Sequence, residues 1–369
     1  MNEKRSLETL NNKQLQKHLN FAASSLYKKL LKLDLTSLQL SDYNQRYLRS
    51  KISKLESTLS LYSKLLFLSL KNSQFSLKTS VLVDYGGGSG VMSLLAAELG
   101  VGTVIYNDIY DVSCKDIEIL SNALGLKPDH IVCGDVDDLV SYLQEKSISI
   151  NVIVSYDVLE HIYDVDSHFK NLGRLSGSVF RIVYASGANI ENPFYVRSVT
   201  KQQIKAEYET REKIWGHKER DSLLAFFEIR KQIISAYAPD LNPETVDYLA
   251  HCTRGLIQAD IEKCIEEFRS TGNITYRIDH PTNTCDPYTG NWCEHLMDLE
   301  QLKGMVSNSG FSAQIITGRY PAGGSFLLRL VKLLLNVILQ IMGRRGMFVA
   351  PYYVLLAESD QQGAIQSVD

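Results

Sequence analysis

The chain has no C-x-x-C pair, and its six cysteines (Cys114, Cys133, Cys252, Cys264, Cys285 and Cys293) follow no regular spacing. That argues against a disulfide scaffold and for a reducing compartment. The N-terminal Met1-Asn2-Glu3-Lys4-Arg5 leads into a polar segment without an apolar core, so no signal peptide is expected and the expected location is cytoplasmic. Internal repeats and low-complexity tracts are lacking. What remains, 44% hydrophobic and 22% charged over 369 residues, is enough for a sizeable core in one large domain or two ordinary ones.

Charge is near balance overall but uneven along the chain. Residues 1–78 hold 14 Lys and Arg against 5 Asp and Glu, net +9, leaving 25 against 37, net −12, for the remainder. Such a basic segment can face an anionic partner or make solvated helix faces, and the spread of its charges favours the second. Apolar residues recurring at threes and fours (Leu15, Leu19, Leu26, Leu30; Leu48, Ile52, Leu55, Leu59) predict three or four helices over residues 7–75.

The pattern changes at residue 79. Val81-Leu82-Val83-Asp84-Tyr85 reads as a strand breaking into Gly86-Gly87-Gly88-Ser89-Gly90, and Val91 to Leu99 reads as a helix capped by Gly100. Strand, glycine turn and helix suit a nucleotide-type ligand, because glycine lets the backbone approach it and the free N–H groups of a first helical turn favour negative charge. The spacing is G-x-G-x-G. A dinucleotide site wants G-x-G-x-x-G, and Val91 stands where its third glycine belongs. Further strands follow at 103–106, 131–133, 151–155 and 178–184, alternating with helices, which predicts an α/β fold with a parallel sheet covered on both faces. Asp84, Asp108, Asp135 and Asp157 fall at or near the carboxyl ends of four strands, where open α/β sheets bind ligands.

With Asp84 two residues before Gly86, this stretch resembles the first motif of the class I S-adenosylmethionine-dependent methyltransferases, and Asp157-Val158-Leu159-Glu160-His161 resembles the D-x-L-E-H stretch of their small-molecule members. The resemblance implies a doubly wound, mostly parallel, seven-stranded Rossmann-like sheet, closed by antiparallel strands matching 310–318 and 349–357. It implies S-adenosylmethionine as cofactor and a cofactor set of Asp84, Tyr85, Gly86, Gly88, Gly90, Asp108, Ile109, Asp135, Val136 and Asp157. In that set Asp84 lies near the methionine ammonium, Asp108 takes the ribose hydroxyls, Asp135 faces the adenine amino group with Val136 against the ring, and Asp157 lines the cleft. The D/N-P-P-Y/F motif of base N-methylases is lacking, which lowers the case for a nucleic-acid base as acceptor.

The expected organisation is a helical cap over 1–78, the first part of the core over 79–190, a helical insertion acting as acceptor lid over 191–300, closing strands over 301–358, and a disordered tail over 359–369. Within the insertion, His280 to His295 gathers two His, two Cys, Asp286, Glu294, Tyr288 and Trp292 among turn formers. His280 or His295 as general base, a metal held by some of these groups, or a loop that pins the insertion to the sheet all fit; we expect no metal, because Cys285 and Cys293 are not spaced like structural zinc ligands. His161 either faces the acceptor or packs the following helix. Residues 326–342 are the most apolar stretch, with Arg329, Lys332, Asn336 and Gln340 as one polar stripe. They predict a helix buried in the protein or in a homodimer interface, ahead of one lying in a membrane surface. The expected activity is methyl transfer to a hydroxyl or amine of a small molecule, sugars and nucleotide-linked compounds included. Its rivals are an RNA methyltransferase using Tyr27, Tyr43, Tyr47 and Tyr62 of the basic segment, and a non-catalytic cofactor-binding scaffold.

Overall fold

The computed structural model describes residues 10–73, 75–175, 179–212 and 221–359. The expected tail lies outside these residues, Ser359 apart.

Three helices open the chain: α1 (Asn12–Leu31), α2 (Asp42–Ser53) and α3 (Leu55–Leu70). Asn11 and Gln14 form a capping box on α1, and its buried Leu15, Leu19, Ala22, Leu26 and Leu30 make one stripe that packs on α3 and α4. The core then alternates β1 (Val81–Tyr85), α4 (Val91–Leu99), β2 (Thr103–Asp108), α5 (Asp111–Leu124), β3 (His130–Cys133), α6 (Val136–Glu145), β4 (Val152–Tyr156), α7 (Val165–Gly173) and β5 (Arg181–Ser186). The insertion holds α8 (Pro193–Tyr208), α9 (Phe226–Tyr237), α10 (Pro243–Cys252) and α11 (Gln258–Thr271), and α12 (Leu299–Asn308), β6 (Phe311–Thr317), α13 (Phe326–Met342) and β7 (Tyr353–Ser359) close the chain.

One sheet runs β3-β2-β1-β4-β5-β7-β6. Its first five strands are parallel, and β7 is antiparallel to both β5 and β6, as the sequence predicts. Two apolar cores cover its faces, one under α1, α3, α4 and α5 and one under α6, α7 and α12, and a third lies within the insertion. Arg181 fastens the cap to the sheet: its guanidinium donates to the carbonyls of Leu68, Ser69 and Lys71 at the end of α3.

The expected last strand begins late, at Tyr353 rather than Val349. Pro351 has no N–H to give a ladder, and residues 343–349 form a 3-10 turn instead. The larger correction concerns α13. Its bounds are those predicted, yet Leu339 alone of its side chains is buried, so it is not the buried core helix its composition suggested. Three of the four residues of its polar stripe bond the preceding loop while Gln340 stays exposed: Asn336 exchanges two hydrogen bonds with the backbone of Tyr320, Lys332 donates to the Gly323 carbonyl, and Arg329 donates to Gly324 and Glu56. Anchored by its polar side, the helix leaves its apolar side out.

Candidate functional site

The glycine loop is built from positive φ angles. Gly86, Gly88 and Gly90 sit at +66°, +53° and +74°, conformations that side chains resist. Two of them also have no room: a Cβ at Gly86 would lie 2.4 Å from Val158, and one at Gly90 would lie 1.9 Å from Ile117. Gly88 is different. A Cβ there would meet nothing closer than the Tyr47 ring at 3.5 Å, so its bare backbone faces open space beneath the cap.

Asp108 holds the loop from the next strand. One carboxylate oxygen accepts from the Gly88 N–H at 2.8 Å and the other from the Tyr110 N–H at 2.8 Å, which leaves further lone pairs on both for a diol. Beside it Ile109 is half exposed, an apolar surface at the mouth of the cleft, and Val136 is buried. Asp84 is turned the other way, into the first turn of α4, where it accepts from the Ser93 N–H and hydroxyl. Burial raises its pKa to about 6 against those two bonds. Asp135 caps α6, accepting from Asp137 and Asp138 N–H groups within a capping box. Tyr85 sends its ring into the core, stacked on Tyr184 and beside His168, so its backbone is what belongs to the loop.

Beyond the loop, the carboxyl end of β4 carries a compact charged group. Asp157 has φ +55° and Glu294 φ +59°, two of the four non-glycine residues with positive φ among those described. Such conformations cost about 1–3 kcal/mol each and gather where function requires them. Asp157 accepts from the Gly187 N–H at 3.3 Å; burial pushes its carboxyl up, and Lys51 opposes that shift. Glu160 is buried, and burial, then Asp157 and Glu294, hold its carboxyl well above the usual range. Glu294 accepts from the Tyr195 hydroxyl at 2.7 Å and stands 4.0 Å from His161 Nε2. His161 Nδ1 lies 2.9 Å from the Trp292 carbonyl. A carbonyl only accepts, so Nδ1 carries the proton and the neutral ring keeps its lone pair on Nε2.

The cap closes this group from above. Lys51 donates to the Tyr62 hydroxyl at 3.1 Å, and its ammonium lies 5.0 Å from the Tyr47 ring, 5.4 Å from Tyr62 and 5.5 Å from Tyr156. Burial works against that charge, but Tyr62, Tyr47 and Asp157 outweigh it and keep the amine protonated. Tyr43 stacks on Tyr47 and meets Tyr110 edge-on.

The two loop histidines go elsewhere. His295 Nε2 bonds Asp279 at 2.9 Å with its ring stacked 4.0 Å from Trp292, and His280 Nδ1 lies 3.1 Å from the Thr282 hydroxyl. Among the described residues neither ring bonds a member of the Asp157 group, and no cluster of three or more His, Cys, Asp or Glu could hold a metal. The loop is pinned by a buried pair instead. Arg230 and Glu207 are both fully buried and joined, Arg230 also donates to the Ala250 carbonyl, and the Thr284 hydroxyl donates to Glu207 at 2.7 Å.

Sequence reading passed over Lys51, Tyr156 and Tyr195. A signal existed for the first: Tyr43, Tyr47 and Lys51 at spacings of four share one helix face.

Residues 83–177, which hold the glycine loop and the strand-end acids Asp84, Asp108, Asp135 and Asp157, match a family described as a methyltransferase domain. Those residues form a methyltransferase domain. Solved structures similar to the chain include the plantazolicin methyltransferase BamL in complex with a triazolic desmethyl analogue and SAH (11% identity over 93% of this chain and 99% of that one, TM-score 0.41). Two others are S-adenosylmethionine-dependent methyltransferases, from Mesorhizobium loti (13%, 76% and 92%, 0.36) and Archaeoglobus fulgidus (15%, 77% and 88%, 0.32). No curated protein matches significantly. The methyltransferase cradle suits its cofactor by its own chemistry: an open glycine backbone at Gly88, a two-oxygen acceptor at Asp108 and the uncovered apolar surface of Ile109.

Proposed function

We propose that the enzyme methylates a hydroxyl or amine of a small-molecule acceptor held between the helical cap and the insertion. The observation that carries this reading is the group of side chains around Asp157, to which the cap brings Tyr47, Lys51 and Tyr62 and the insertion brings Tyr195 and Glu294 beside His161. S-adenosylmethionine supplies an electrophilic methyl group when bound. Asp108, the Gly86–Gly90 backbone and Ile109 would hold it, with Asp135 and Val136 at the far end of the cleft. The protein's main contribution is alignment of acceptor and methyl, for which effective concentration can supply about 7–11 kcal/mol. In the neutral tautomer that the Trp292 contact selects, His161 Nε2 can take a proton from a hydroxyl; an amine need only arrive neutral.

Three of the four tyrosines that would stack on RNA bases are already engaged, Tyr43 with Tyr47 and Tyr62 with Tyr156 and Lys51, which favours a small acceptor over a strand. Turnover of methyl-labelled cofactor against fractionated metabolites tests the proposal, with Asp108→Ala as control. Loss of two charge-assisted hydrogen bonds should weaken cofactor binding by about a hundredfold in calorimetry. Labelling of RNA alone, with steep salt dependence, would overturn the small-molecule reading.

A further inference from the structure

Monomeric proteins rarely expose a large contiguous apolar surface without a use for it. Phe326–Val349 is long and apolar enough to cross a membrane by length and composition, yet it is almost wholly unburied. Leu327, Leu334 and Ile341, spaced by seven and so aligned along one side of α13, are 69%, 56% and 81% exposed. On the opposite side Arg329, Lys332 and Asn336 bond the backbone of residues 320–324. An ordinary surface helix has the reverse polarity, apolar side in and polar side out. The medium that α13 is built to meet is therefore apolar.

We propose that α13 binds the surface of an anionic lipid bilayer, lying in its plane. It does not span one: the chain leaves β6 at Thr317 and re-enters β7 at Tyr353, residues paired side by side, and residues 320–324 run along the inner side of the helix. A flat helix with an apolar outer side and flanking basic residues is the form that inserts at the headgroup boundary. Charge selects the occupant. Between Glu300 and Glu358 the chain has six Lys and Arg and no Asp or Glu. Arg344 is paired with Glu191 and Arg329 with Glu56, but Arg319 and Arg345 have no carboxylate partner among the described residues. The basic cap adjoins them, with Ser57 and Ser60 of α3 bonded to Ala322. A second copy docked on this side would set positive charge against positive charge, whereas anionic headgroups neutralise it. The helix also departs from the edge of the sheet where β1 and β4 end, the edge that carries the site.

The full chain should float with phosphatidylcholine vesicles containing phosphatidylglycerol and far less with phosphatidylcholine alone. Replacing the outward line, Leu327→Glu with Leu334→Glu and Ile341→Glu, should cut the floated fraction about tenfold or more. These side chains are exposed, so circular dichroism and melting should not change. Wild type that stays with the lipid-free fraction, or floats no better than the triple variant or equally on both vesicles, overturns the proposal. A lipid-free dimer in sedimentation that the triple variant splits, with no flotation, assigns the surface to a second copy instead.

Discussion

The cofactor half of the site and its proposed acceptor half are built by different means. Asp108 and Gly88 follow the ends of adjacent parallel strands, so the ladder that pairs β1 with β2 fixes their relative places within a short span of sequence. Lys51, Tyr195 and Glu294 come from the cap and the insertion, separated by most of the chain, and meet because helices pack and loops are pinned. The first half is held by backbone geometry that many sequences share. The second depends on particular side chains, and there the residues in strained backbone and the buried ionisable groups collect.

The largest effect should come from His161, where the halves touch. With a hydroxyl acceptor, His161→Ala should lower turnover roughly 10²–10⁴-fold while calorimetry shows unchanged cofactor affinity. Equal loss of cofactor binding would erase the division between the halves, and full turnover would leave His161 a packing residue or point to an amine acceptor.

The same division governs what could be read in advance. Strand order, the antiparallel β7 and the glycine cradle follow from local periodicity and glycine spacing, and these are properties of short windows. Asp84 shows the boundary: its position was legible, but its bond to Ser93, nine residues on in α4, was not. Arg230 and Glu207 were invisible because charged residues on amphipathic helices ordinarily face water, and only the third core reverses that. For α13 the stripe was legible and its direction was not, since amphipathicity says that a helix has two sides and not which one meets the protein.

Next in size is the pair that holds the acceptor half together. Glu207→Ala leaves Arg230 buried without its carboxylate and removes the partner of Thr284, so the fold should lose about 3–5 kcal/mol. Chemical denaturation measures this. If the insertion melts as a unit of its own while the sheet stays cooperative, the halves are separable in stability as well as in origin; an unchanged midpoint would show that the pair contributes nothing.

The smallest effect on chemistry is expected from the loop that looked most reactive in the sequence. His280 bonds Thr282, and His295 is committed to Asp279 and stacked on Trp292, so His280→Ala and His295→Ala should leave turnover within about threefold of wild type, far from the loss of a general base. His295→Ala should instead show in stability, by about 1 kcal/mol or less because Asp279 is partly exposed. Its pH dependence has a definite sign. Burial alone would raise the Asp279 carboxyl, but His295, Asn283 and the His280 N–H together hold it below its ordinary 3.8. A carboxylate whose pKa is depressed on folding contributes stability above its unfolded pKa, and loses that contribution as pH falls through the lower, folded one. Wild type should therefore lose a small increment of stability below about pH 4 that His295→Ala lacks, read as converging denaturation midpoints toward acid. A variant that instead loses turnover 10²-fold or more with its fold and cofactor affinity intact would return the chemistry to this loop and move the acceptor half of the site away from His161.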